Sequence, residues 1–108
     1  NMKILSINDL VLKIGSNQEE NQELMDKMEP EHTWFHIENL PSAHLVIPIS
    51  FTKLDKDTLY LIALKLKINS KYKKCNSVSV IYTHRKSLKL TNNPGKVIIK
   101  NKPMKIKV

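Results

Sequence analysis

Two histidines, a tryptophan and a serine share one short segment of this chain, Trp34-Phe35-His36-Ile37-Glu38-Asn39-Leu40-Pro41-Ser42-Ala43-His44-Leu45-Val46-Ile47. Alternate side chains of a strand share a face, so Trp34 goes with His36 and His44 with Val46, and a short turn lets the two imidazoles meet. An imidazole titrates near neutral pH and binds metals, while an indole stacks and donates one N–H. Three kinds of chemistry therefore compete: a structural lock of the core or turn, a nucleic-acid contact by stacking and hydrogen bonding, and a metal or acid/base site. Zinc needs three protein ligands even in catalytic sites, and no third ligand is evident here. Ser42 beside a histidine is not a triad without geometry, and neither a phosphate-binding loop nor a paired-carboxylate signature is present. No cofactor or metal is expected.

A second set of residues carries charge. Lys65, Lys67, Lys71, Lys73 and Lys74, with Arg85 and Lys86 further on, form the densest cationic stretch. Residues 1–50 hold 3 basic and 8 acidic side chains, whereas residues 51–108 hold 15 basic and 2 acidic, within a formal net charge of +8. A half this basic attracts polyanions, because each neutralised phosphate releases condensed counterions. Lysines act as point charges that hold a backbone without reading bases, which implies recognition of shape and charge. Tyr72, inside the cluster, has two roles open to it: stacking on an unpaired base or capping the core. For any single lysine the plain alternative is a solvated surface, and a Lys-rich, Gly-poor composition is also what an AT-rich genome imposes.

The elements that must position these residues can be read from the pattern. Lys3 to Leu5 and Leu10 to Ile14 flank Asn8-Asp9 as an opening hairpin. Gly15 ends it, Ser16 and Glu19 have the spacing of a capping box, and a helix is expected over about Asn17 to Met28, stopped by Pro30. Thr33 to Ile37 and Ala43 to Ile49 read as a central hairpin. Asp55 is the expected N-cap of a second helix with Leu59, Ile62, Ala63 and Leu66 on its buried stripe. Val78 to Tyr82, Lys96 to Lys100 and Met104 to Val108 complete the strands, with a turn at Asn92-Asn93-Pro94-Gly95. The order β-β-α-β-β-α-β-β-β predicts an α+β domain, a largely antiparallel sheet with two helices packed against it. The last 12 residues alternate basic and apolar positions, as an edge strand protected by lysines would.

Length and composition bound the rest. A chain of 108 residues, 41% hydrophobic and 26% charged, has room for one globular domain over residues 1–108. No apolar run approaches the roughly 20 residues of a spanning helix. Asn1 ahead of Met2 is expected to be a cloning scar, and the first residues lack the features of a secretory signal. Cys75 is the one cysteine, which allows no internal disulfide and suits the cytoplasm.

The Trp34-Phe35-His36 and Pro41-Ser42-Ala43-His44 segments resemble the Trp-[Leu/Phe]-His and Pro-Gly-Ser-His hallmark of NFACT-R domains, found in ribosome-quality-control factors and in short stand-alone eukaryotic proteins. Gly15, Asn17 and Asn21 are similar to the family's Gly-Lys-Asn…Asn pattern, Val78 to Thr83 to its Val-x-Val-x-Tyr-Thr strand, and Pro94-Gly95-Lys96-Val97 to its Pro-Gly-x-Val turn. Four matches in order, with a helix between the second and third, cover nearly the whole chain. The resemblance implies the fold and a module that binds RNA, either transfer RNA or the large ribosomal subunit, with Trp34, His36, Ser42 and His44 as its motif site. Three positions depart from the pattern: Ser16 replaces a lysine, Ser42-Ala43 replaces Gly-Ser, and His32-Thr33 occupies the place of an acidic residue. Pro48 falls where many relatives carry a basic or polar residue. Two other classes of function stay open: hydrolysis of an RNA-linked ester such as peptidyl-tRNA by the paired histidines, and a DNA-binding or scaffolding role. Recognition without catalysis is the expectation.

Overall fold

Strand β1 (Lys3–Ile7) turns back into β2 (Leu10–Ile14) through Asn8, whose φ of 54° is the left-handed conformation that a two-residue hairpin turn demands and asparagine tolerates. The computed structural model describes residues 2–108, so Asn1 and the expectation attached to it lie outside the described residues. Helix α1 (Gln18–Lys27) follows, capped differently from the expectation. Asn17 is the N-cap, accepting the Glu20 amide at 2.8 Å, while the Glu20 carboxylate accepts both the amide and the hydroxyl of Ser16. The cap is thus shifted by one residue, because asparagine at 17 can serve the third helical amide itself, and the Glu20 carboxylate reaches back to Ser16, the residue before the N-cap.

The central hairpin is β3 (Thr33–Ile37) against β4 (Leu45–Ile47). The second strand is shorter than Ala43 to Ile49; Pro48, which has no N–H, directly follows its last paired residue. Helix α2 (Lys56–Ile68) starts where expected, with the Asp55 carboxylate accepting the Thr58 amide at 2.8 Å. Strand β5 (Ser79–His84) runs past Tyr82 because Thr83 and His84 pair with Trp34 and Thr33. An additional short strand, β6 (Leu88–Leu90), pairs with β7 (Val97–Ile99) as a separate hairpin around the Pro94-Gly95 turn. Strand β8 (Met104–Lys107) lies at the sheet edge, so of the last 12 residues only this part is the expected edge strand.

The six-stranded sheet has the order β1-β2-β4-β3-β5-β8, antiparallel throughout. Strand alternation divides its side chains between two layers. Phe35, Ile37, Leu45, Ile47, Val80 and Tyr82 face α2 and pack on Leu59, Ile62, Ala63 and Leu66. Trp34, Val46 and Ile81 face the other way and pack on Leu24 and Met25 of α1 and on Leu88 of β6. Each fully buried leucine or isoleucine contributes about 1.5–3 kcal/mol, so both helices are held chiefly by these stripes. No helix among the described residues is long and apolar enough to cross a membrane.

Candidate nucleic-acid interface

The pleat of β3 sends Trp34 and His36 to the α1 side, and the β3–β4 turn returns His44 beside them. The rings of Trp34 and His36 stack in parallel at 5.4 Å with 7° between their planes, and His44 stands edge-on to both, at 5.5 and 5.2 Å. The Trp34 indole N–H donates to His44 Nδ1 at 3.0 Å. The expected meeting of the two histidines is therefore realised, with the tryptophan as their common neighbour.

This cluster is locked from α1. The His44 amide donates to the Asn21 side-chain oxygen at 3.2 Å, and the Gly15 amide donates to the His44 carbonyl at 3.0 Å. A Cβ on Gly15 would lie 2.2 Å from Asn21 Oδ1, so only glycine lets these groups meet. Ser42 closes the turn, its hydroxyl accepting the Ile37 amide and donating to the Ala43 carbonyl, each at 3.1 Å.

Electrostatics follow from this burial. Trp34 and His44 are 2% and 4% exposed. Burial, reinforced by the neighbouring His36, pushes the His44 pKa down to about 3. Burial also lowers the His36 pKa, with backbone hydrogen bonds at Ile37 and Ser42 partly opposing it. Both rings are neutral at physiological pH, and since His44 Nδ1 accepts the indole proton, His44 carries its own proton on Nε2. The pair adds no positive charge for a phosphate. As a base with a pKa of about 3, His44 is poorly matched to proton transfer near neutrality. No group of three or more His, Cys, Asp or Glu side chains placed to hold a metal ion occurs among the described residues.

The cationic stretch separates into two places. Lys71, Lys73 and Lys74 are exposed on the turn that leaves α2, with half-buried Lys65 one turn back. Tyr72 between them packs against the α2-side core, and the Lys71 ammonium lies 5.6 Å from its ring centroid. Arg85 and Lys86 follow the far end of β5, beyond the whole length of that strand from the segment that leaves α2. Arg85 donates to the carbonyls of Met25 and Leu88 at 2.9 and 3.1 Å, tying the end of α1 to β6, and Lys86 is paired with Glu31 at 2.6 Å. Lys67 is 8% exposed and donates to the Val108 carbonyl at 3.2 Å. Sequence alone shows the density of these charges but not which ones the fold turns inward.

One concavity of about 350 Å³ joins the two sets of candidates. Ser42 and Ala43 from the β3–β4 turn and Lys71 from the exit of α2 line it together with Lys3 of β1. Lys3 belongs to the acidic half of the sequence and carried no local signal; only the sheet order brings β1 to this end.

Residues 3–101 match the model of the NFACT protein RNA binding domain. Coiled-coil domain-containing protein 25 of Bos taurus and of Mus musculus are each 34% identical to the chain over 83 residues, which is 72% of this chain and 40% of the relative. The chain thus spans 40% of the length of the curated relatives it matches. The C-terminal part of the fibronectin/fibrinogen-binding protein from Streptococcus suis superposes with a TM-score of 0.86, covering 99% of this chain and 44% of that one. At 23% identity that likeness speaks for the fold alone.

Proposed function

Since this chain belongs to the NFACT protein RNA binding domain family, we propose that it binds RNA, with transfer RNA or the RNA of the large ribosomal subunit as its target, in a cytoplasmic role close to translation quality control. The observation that supports this reading best is the set of exposed lysines at the exit of α2. Lys71, Lys73 and Lys74 stand within four consecutive residues and form no ion pair among the described residues. Phosphates neutralised there would supply affinity without sequence preference. Arg85 and Lys67 contribute through the fold instead, by fixing the ends of α1 and β8.

Hydrolysis of an RNA-linked ester draws less support from the geometry. The Ser42 hydroxyl is committed to two backbone partners, and His44 Nδ1 to Trp34. Charge-neutral substitution of Lys71, Lys73 and Lys74 together should weaken RNA binding and reduce the log-log salt slope by about 2–3, since each lost contact removes about 0.7–0.9. An unchanged affinity and slope would place the RNA elsewhere.

A further inference from the structure

We propose that the concavity between β1, the β3–β4 turn and the exit of α2 receives one unpaired nucleotide of the bound RNA, with its phosphate between Lys3 and Lys71 and its base against Ile14, Pro41 and Ala43. The proposal rests on the RNA-binding reading and adds to it a distinct subsite for a nucleotide outside a duplex.

Charge separates this concavity from its neighbours. The hollow beside α1 is lined in part by Glu23, and the one beside the β3 entry by Glu29 and Glu31. The concavity at Lys3 has two lysines and no carboxylate among its lining residues, and its volume of about 350 Å³ lies at the lower end of the range of small-molecule sites. A phosphate-bearing group of nucleotide size fits both properties.

The two lysines are held unequally. Lys3 Nζ donates to Asn69 Oδ1 at 2.6 Å, and the Asn69 amide nitrogen is fixed in turn on the Lys65 carbonyl at 2.8 Å. The Lys3 ammonium is therefore parked at the rim with two N–H groups unused, and part of the entropy of ordering it is already lost before a ligand arrives. Lys71, two residues beyond Asn69, also lines the concavity, and its ammonium leans over Tyr72. The hydroxyls of the wall are committed to the protein, Ser42 to the Ala43 carbonyl, Ser70 to the Lys67 carbonyl and Ser16 to the Glu20 carboxylate, as is the Gly15 amide to the His44 carbonyl. The two ammonium groups are the charged donors the wall offers a ligand. The subsite accordingly draws its affinity from a phosphate and an apolar base face. Of the family-motif residues, Ser42 lines the concavity itself, and the bonds of Ser42 and His44 hold the turn that carries Pro41 and Ala43.

The test compares a blunt RNA hairpin with the same hairpin carrying a short single-stranded 3′ extension, by anisotropy on the full chain. The extension should raise affinity about tenfold, the lower part of the range for one packed base. Lys3→Met should bring that ratio close to one, and Lys3→Arg should restore most of it; far-UV circular dichroism of both variants monitors folding. A ratio near one for the unaltered chain, or a ratio unchanged by Lys3→Met while both hairpins still bind, would overturn the nucleotide subsite and leave RNA binding standing. Failure of both hairpins to bind would overturn both readings.

Discussion

At the scale of single residues, Trp34 and His44 form a lock whose strength depends on protonation. His44 is held neutral by burial, with its pKa pushed down to about 3, and His36 is shifted in the same direction. As pH falls below about 6.5, an unfolded chain takes up a proton on His44 that the folded chain refuses down to about pH 3, so stability declines progressively, and the lowered His36 adds in the same direction. Between about pH 7 and pH 5, above the carboxylate range, stability to urea should therefore fall, by up to about 1.4 kcal/mol per pH unit from His44. His44→Gln should flatten that slope, and a stability that does not change over this window would contradict the buried, neutral pair. The meeting of these rings was legible in the sequence, because a period of two and a short turn suffice to bring Trp34, His36 and His44 together. What Arg85 and Lys67 do was not. A cation's sequence position says nothing about the buried carbonyl it reaches, and both side chains satisfy carbonyls supplied by residues far away in the chain.

At the scale of elements, patterning located both helices and seven of the strands, since each carries a long periodic stripe or a clear turn. The hairpin of β6 and β7 was only half visible. Leu88-Lys89-Leu90 is too short for alternation to stand out, and its partner is selected by packing on α1. Leu88 joins Trp34, Leu24 and Met25 in one cluster, with Leu90, Val97 and Ile99 at its margin. Gly95 couples the hairpin to α1: its amide donates to Gln22 Oε1 at 2.9 Å, its φ is 78°, and a Cβ there would lie 2.8 Å from the Gln18 carbonyl. Gly95→Ala should therefore cost about 1–3 kcal/mol in chemical denaturation, through backbone strain and the close approach together. It should also accelerate amide exchange in β6 and β7 more than in β3 to β5. A variant as stable as the parent chain would show that the hairpin is not anchored through this turn.

At the scale of the whole molecule, folding rearranges the charge that the sequence divides into an acidic half and a basic half. α1 keeps Glu19, Glu20, Glu23 and Asp26 on its own layer, while the sheet order carries Lys3 from the acidic half to the concavity beside Lys71. The arrangement leaves one end of the sheet rich in unpaired lysines and sets Lys86, paired with Glu31, at the other. Fluorescence anisotropy with labelled transfer RNA, a matched hairpin DNA and heparin, each across a salt series, tests the RNA-binding account most directly. Tighter binding to structured RNA than to either competitor, with a log-log salt slope of at least about 2 from several phosphate contacts, is the predicted result. Equal affinity for all three polyanions, or no binding to the RNA at low salt, would contradict it.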